Sequence, residues 1–315
     1  MPCNQQSGLN TLADILANAT PDTTARGRFA PSPTGRMHLG NIVAALLSYL
    51  SVKSKGGKWV LRIEDIDPQR SKQHYADMLM DDLQWLGLQW DEGPYYQSRR
   101  GDIYQEQLAR LCERGIIYPC RCTRAELMAS QAPHESDGHI VYSGKCRPAS
   151  LSGEIPLIGE TLRLMVPPYP GVTDSGGGLI TFRDDLCGPQ SVSLHDHCGD
   201  FIVRRRDGAW AYQFAVAIDD ALMGITEVVR GEDLLLSTAQ QLYVMQQLGL
   251  TSPRHYIHFP LVRNNAGIRL SKRDQSLSME HLRRSYSPQE VIAMAAEAAR
   301  LPQGVLQPLI TAQCH

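Results

Sequence analysis

A surplus of positive charge is missing from this sequence. Its 315 residues carry 31 Lys and Arg against 33 Asp and Glu, a formal net charge of −2. A dedicated nucleic-acid scaffold carries a basic excess, so any contact with RNA must rest on local basic surfaces. Long apolar runs are missing too. None approaches the roughly 20 residues that a membrane-crossing helix needs, and no membrane association is expected. No Lys or Arg precedes Arg26, which excludes the basic start of a secretory signal. The expected location is cytoplasmic. Cysteines number only eight and are scattered, so free thiols or metal ligands are expected rather than a disulfide framework. No internal repeat or low-complexity tract is present. What remains, 43% hydrophobic and 20% charged residues, is globular. It suffices for one large domain or about two ordinary ones.

Residues 1–24 are polar with scattered apolar positions and read as a loose or weakly helical extension. Gly27-Arg28-Phe29-Ala30-Pro31-Ser32-Pro33-Thr34-Gly35 then runs a short apolar segment into a Pro/Gly turn. After His38-Leu39-Gly40-Asn41, the stretch Ile42–Leu50 reads as a buried helix, stopped at Lys55-Gly56-Gly57. Trp59–Ile63 reads as a strand with Glu64 at its end. Strand, loop, helix, strand opens a parallel α/β unit, and ligands of such sheets gather at the carboxyl ends of the strands. Helical patterns follow at about 71–90 and 101–114. Residues 118–198 change character and read as an insertion. The α/β pattern resumes at Gly199, with apolar stretches at Phe214–Ile218 and Val228-Val229 and helices at about 237–249 and 288–300. The expected division is an extension (1–24), a first catalytic half (25–117), the insertion (118–198), a second half (199–275) and a short helical end (276–315).

Four patterns carry chemistry. His38-Leu39-Gly40-Asn41 opens a helix, where free N–H groups and the dipole attract phosphate. Gly40 leaves room for a nucleotide ring, and His38 can donate to a phosphate. Arg269-Leu270-Ser271-Lys272-Arg273 after Gly267 suits a mobile clamp on leaving pyrophosphate. Arg28, Glu64, Tyr212 and Arg230, all near expected strand ends, can hold a zwitterion bearing an extra carboxylate. Cys120-Arg121-Cys122 with Cys146 suggests zinc, the fourth ligand coming from His134, His139 or Tyr142. His195-Asp196-His197-Cys198 is a weaker metal candidate. Taken singly, each has an ordinary alternative: a chance His, a solvated basic loop, surface ion pairs, unrelated thiols.

Their order decides between these readings. Gly27–Gly35 with His38-Leu39-Gly40, then Leu61-Arg62-Ile63-Glu64-Asp65-Ile66-Asp67, Ala211–Asp220, Val229-Arg230-Gly231-Glu232-Asp233 and Arg269–Arg273 together resemble the ordered motifs of glutamyl-tRNA synthetases. The cysteine pattern, and a chain ending about forty residues past the KMSKS-like loop, resemble the short glutamyl-Q tRNA(Asp) synthetase branch. The resemblance implies a Rossmann-like class I catalytic domain with a zinc-bearing insertion, a short helical C-terminal region and no anticodon-binding domain. It implies ATP, with Mg2+, and L-glutamate as reactants, and tRNA(Asp) containing queuosine as acceptor, on a monomeric enzyme. A truncated glutamyl-tRNA synthetase charging a tRNA 3′ end is the alternative.

The implied site residues follow. His38, Gly40 and Lys272 are catalytic, and Asn41 joins them on ATP. Arg28, Ala30, Ser32, Glu64, Tyr212 and Arg230 hold glutamate. One structural Zn2+ sits on Cys120, Cys122, Tyr142 and Cys146, the resemblance choosing Tyr142. There are departures. Asn41 stands for the second His of the HIGH motif and Arg269 for the first Lys of KMSKS. Val216 stands where full-length relatives tend to have Asn, which implies a looser glutamate pocket.

Overall fold

The computed structural model describes residues 11–123, 126, 141–148, 159–167, 178–262 and 277–302. The Arg269–Arg273 loop with Lys272, and both His134 and His139, lie outside the described residues.

The framework is a five-stranded parallel sheet. Its strands are β1 (Arg26–Phe29), β2 (Lys58–Ile63), β3 (Glu92–Tyr96), β9 (Glu227–Gly231) and β10 (His255–Phe259), in the order β10-β9-β1-β2-β3. The expected parallel α/β arrangement is therefore present. Five consecutive residues of β2 are buried, as a strand covered on both faces requires. Strand order reverses at β1, which lies between β2 and β9, so a crevice opens at the carboxyl ends of β1 and β9.

Helix α2 (Leu39–Lys53) packs Ile42, Val43, Leu46, Leu47 and Leu50 into the main core with Trp59 and Leu61 of β2. Gly27 is what lets β1 approach it, since a Cβ there would sit 2.2 Å from Val52 Cγ2. The extension is more ordered than expected at its far end. Helix α1 (Leu12–Ala17) carries a Thr11/Asp14 capping box, and Leu16 is buried in the main core.

Helix α3 (Gln73–Trp85) connects β2 to β3, and between β3 and β9 the chain forms α4 (Gly101–Glu113) and two antiparallel pieces. Strands β4 (Ile117–Cys120), β5 (Thr161–Leu164) and β8 (Phe201–Arg204) make one sheet, and β6 (Leu179–Asp184) pairs with β7 (Gly188–Ser193). A single turn of helix, α5 (Leu194–His197), follows β7. Helix α6 (Tyr212–Leu222) takes up the apolar Phe214–Ile218 stretch, and α7 (Leu235–Leu248) packs beside it. Tyr212 thus opens a helix and does not end a strand. Helices α8 (Met279–Ser285) and α9 (Pro288–Ala298) complete the described fold. No described helix is long and apolar enough to cross a membrane.

Candidate active site

A cavity of about 650 Å³ lies at the carboxyl ends of the central strands. Arg28, Ala30 and Ser32 reach it from β1 and the turn after it. Glu64 follows β2, Tyr212 opens α6, and Arg230 comes from β9. His38, Gly40 and Asn41 line it from the start of α2. Phe259 at the end of β10, with Leu261 and Val262 just after it, gives it an apolar side.

Beneath the cavity lies a buried network of charge. Arg62 is fully buried and donates to Asp220 at 2.7 Å and to Glu64 at 3.2 Å. Arg28 Nε donates to the same Asp220 at 3.2 Å. Next to it, Asp219 accepts from Arg100, Tyr104 and Gln97. One acidic pair on α6 therefore anchors the cation on β1 and, through Arg62, the carboxylate after β2. Burial works against ionising Asp220, but Arg28 and Arg62 outweigh it and hold its pKa below the usual carboxylate value. Glu64 differs: burial dominates and pushes its pKa up to about 7, against the pull of Arg62 and Arg28.

Arg230 is the contrasting case. It is 5% exposed, yet its partners are neutral groups. Nε donates to His258 at 3.1 Å, while Nη2 donates to Thr238 and to Gln241 Oε1 at 2.9 Å. Among the described residues, Nη1 is buried with no hydrogen-bond partner. A buried cation without a counter-charge is costly, so this nitrogen suits an anionic group entering the cavity. With Nη2 already engaged, Arg230 offers one nitrogen and not the two-nitrogen fork that its residue type suggested.

The start of α2 also differs from expectation. His38 is the N-cap, and its Nδ1 accepts the Gly40 N–H at 3.1 Å, while Asn41 Oδ1 accepts the His38 N–H at 3.1 Å. The Gly40 N–H is thus spent inside the cap and not reserved for phosphate. Gly40 itself gives clearance to the ring, because a Cβ there would lie 3.0 Å from His38 Cε1.

Away from the cavity, Cys120, Cys122 and Cys146 place their sulfurs within 4.8 Å of one another. Tyr142 Oη lies 3.6 Å from Cys120 Sγ and 3.9 Å from Cys122 Sγ, and Cys122 and Cys146 are 3.4 Å apart. Ligands about 2.3 Å from a tetrahedral zinc lie roughly 3.8 Å from one another, so the set fits such an ion. Metal takes thiolates. Burial opposes ionisation of Cys146, yet the Arg121 N–H and the Tyr142 hydroxyl help hold its thiol down at about 7.

The family model "tRNA synthetases class I (E and Q), catalytic domain" matches residues 24–300. The chain belongs to this family. As a class I synthetase it is an ATP-dependent ligase. It is 44% identical over 262 residues to the glutamyl-Q tRNA(Asp) synthetase of Geobacter sulfurreducens, covering 83% of this chain and 79% of that one. The enzyme of that name from Neisseria meningitidis is 42% identical over 263 residues, with 82% and 83% covered. Among solved structures, a glutamate tRNA ligase from Elizabethkingia meningosepticum, in complex with its amino acid, superposes with a TM-score of 0.66 at 33% identity. The match covers 80% of this chain but 52% of that one, so the synthetase spans about half of that structure's length.

Sequence reasoning missed several residues that shape the synthetase's cavity. Asp219 and Asp220 sat inside a quoted motif without a role. Asp184, Thr238, Gln241 and His258 carried no pattern at all, because they meet only through the fold. The second metal candidate is not gathered: His195 contacts Asp196, His197 Nδ1 lies 2.8 Å from Ser193 O, and the Cys198 thiol donates to Leu194 O. Val216 is fully buried and does not line the cavity. Cys187 departs from the free-thiol expectation, being disulfide-bonded.

Proposed function

We propose that the chain activates L-glutamate with ATP, without needing RNA, and transfers it to the queuosine base at the wobble position of tRNA(Asp). The observation that carries the amino-acid assignment is Arg230, a buried cation with an unpartnered Nη1, lining the same cavity as Glu64. A ligand with an ammonium at one end and a carboxylate at the other satisfies both. Glu64 takes the α-ammonium, Arg230 takes the γ-carboxylate, and Arg28, Tyr212, Ser32 and the Ala30 backbone enclose the remainder. Glutamine would leave the Arg230 charge uncompensated and is disfavoured.

In the first step an α-carboxylate oxygen attacks the α-phosphorus of ATP. The bond from that phosphorus to the β-phosphate bridging oxygen breaks, and pyrophosphate leaves. His38 and Lys272 stabilise phosphate charge, Gly40 and Asn41 shape the nucleotide's seat, and Mg2+ accompanies ATP. Rate comes from placement and electrostatics, with no side-chain nucleophile. In the second step a hydroxyl of the queuosine cyclopentene ring attacks the mixed-anhydride carbonyl, and AMP leaves. The acceptor assignment is supported by the names of relatives at 41–44% identity.

The test is pyrophosphate exchange with glutamate, ATP and no RNA, followed across pH. With Glu64 raised to about 7, its carboxylate gains a proton as pH falls through that value and stops attracting the α-ammonium. We expect kcat/KM for glutamate to level off above pH 7 and to fall about tenfold per pH unit below it, with the KM for ATP unchanged. Exchange that requires tRNA, or a profile flat down to pH 5.5, contradicts this reading.

One zinc per chain on Cys120, Cys122, Tyr142 and Cys146 is proposed to hold β4 and the segment around Cys146 together. It takes part in neither step. Metal analysis of Cys122→Ser is expected to show loss of zinc and a lower melting temperature, while a full zinc complement in that variant refutes the ligand set.

A further inference from the structure

The contacts of His258 reach beyond its own strand. It lies on β10 and is fully buried, as is Asp184 at the end of β6. Asp184 Oδ1 accepts the backbone N–H groups of Leu186 and Cys187 at 3.0 and 2.7 Å. Its Oδ2 accepts the His258 N–H at 3.1 Å and lies 2.6 Å from His258 Nδ1. With three backbone donors on this carboxylate, the proton shared with the ring belongs to Nδ1. The other ring nitrogen, Nε2, is then a bare lone pair, and Arg230 Nε donates to it.

The remaining neighbours enforce this state. The cations facing the ring are Arg230 from β9 and, further off, Arg28 from β1. Thr238 Oγ1 lies 2.8 Å from Nε2, and Tyr256 and Phe182 flank the ring. A second proton on Nε2 would point at the Arg230 N–H. Burial and these cations hold the pKa of His258 down at about 4, against the pull of Asp184. With Nε fixed by His258 and Nη2 by Thr238 and Gln241, the guanidinium plane is set and Nη1 alone is left for a ligand.

We propose that Asp184 and His258 form a tautomer lock, in which neutral His258 is a positioning residue that orients Arg230 toward the side-chain carboxylate of the substrate and thereby sets the preference for glutamate. This rests on the reading of Arg230 given above. It also assigns the β6–β7 hairpin a task in amino-acid recognition, since Asp184 comes from it. Without the lock the guanidinium can rotate, and a neutral amide competes better with the carboxylate.

Two measurements test it. In the unaltered protein, ¹⁵N NMR of His258 at pH 7 is expected to show the neutral Nδ1–H tautomer; an Nε2–H tautomer or an imidazolium overturns the proposal whatever the variants do. In pyrophosphate exchange, His258→Leu is expected to raise the KM for glutamate about tenfold or more, with the KM for ATP within twofold. His258→Gln is expected to recover most of the loss, because its Oε1 can accept from Arg230. Equal damage by Leu and Gln, or damage to both KM values, means a structural role only and overturns the lock. Arg230→Gln separates the two levels. If that variant activates glutamate normally, the pocket reading fails; if it is crippled while folded His258→Leu is normal, the lock alone fails.

Discussion

Replacing Arg230 by Gln is expected to lower kcat/KM for glutamate about a hundredfold or more in pyrophosphate exchange, while the KM for ATP stays within about twofold and the fold stays intact. The reasoning starts from an imbalance. Arg230 is buried, touches His258, Thr238 and Gln241, and keeps one nitrogen without a partner. Its contacts are with neutral groups, so removing the charge costs little stability. Among the described residues no carboxylate touches it, so its removal falls mainly on substrate recognition. Hydrogen bonds to charged groups contribute about 1.5–3 kcal/mol each, and the lost charge attraction adds to that. Parental glutamate activation in this variant would place Arg230 outside the recognition site.

Arg62→Met is expected to do the opposite, destabilising the protein by about 3–5 kcal/mol. Arg62 is also fully buried, but it faces three carboxylates, those of Asp219, Asp220 and Glu64. A methionine leaves these acids crowded in a dry site with Arg28 and Arg100 as the remaining nearby cations. They must then take up protons or let water in. Whatever protein folds should also activate glutamate poorly, because Glu64 loses Arg62, its link to the Asp220 that anchors Arg28. Urea unfolding checks the first part, and a midpoint within error of the parent would contradict it.

These two arginines show where the sequence stops being readable. Each sits in a short apolar segment running to a strand end, and nothing local separates a structural cation from one held for a ligand. The difference lies in residues far along the chain: Asp219 and Asp220 on α6 for one, His258 and Thr238 for the other. Buried helices and strands were legible where apolar runs were long or clearly bounded, as in α2 and β2. Tyr212 was set near a strand end because Phe214–Ile218 is apolar at every position, a pattern that strand and buried helix share. Cys120, Cys122 and Cys146 stood out by spacing. Tyr142 did not, since a phenol has no ligand spacing of its own and only the resemblance pointed to it. The N-cap role of His38 was hidden for another reason: a side chain able to donate to phosphate can equally accept a backbone N–H.

The most direct test of the account is transfer of labelled glutamate to tRNA(Asp) prepared with and without queuosine, followed by mapping of the label. The account predicts labelling of the queuosine-containing tRNA alone, on the modified base and not on the 3′ terminal ribose. Equal labelling of both tRNAs, or label on the 3′ ribose, would contradict it and make the chain an enzyme that charges tRNA ends.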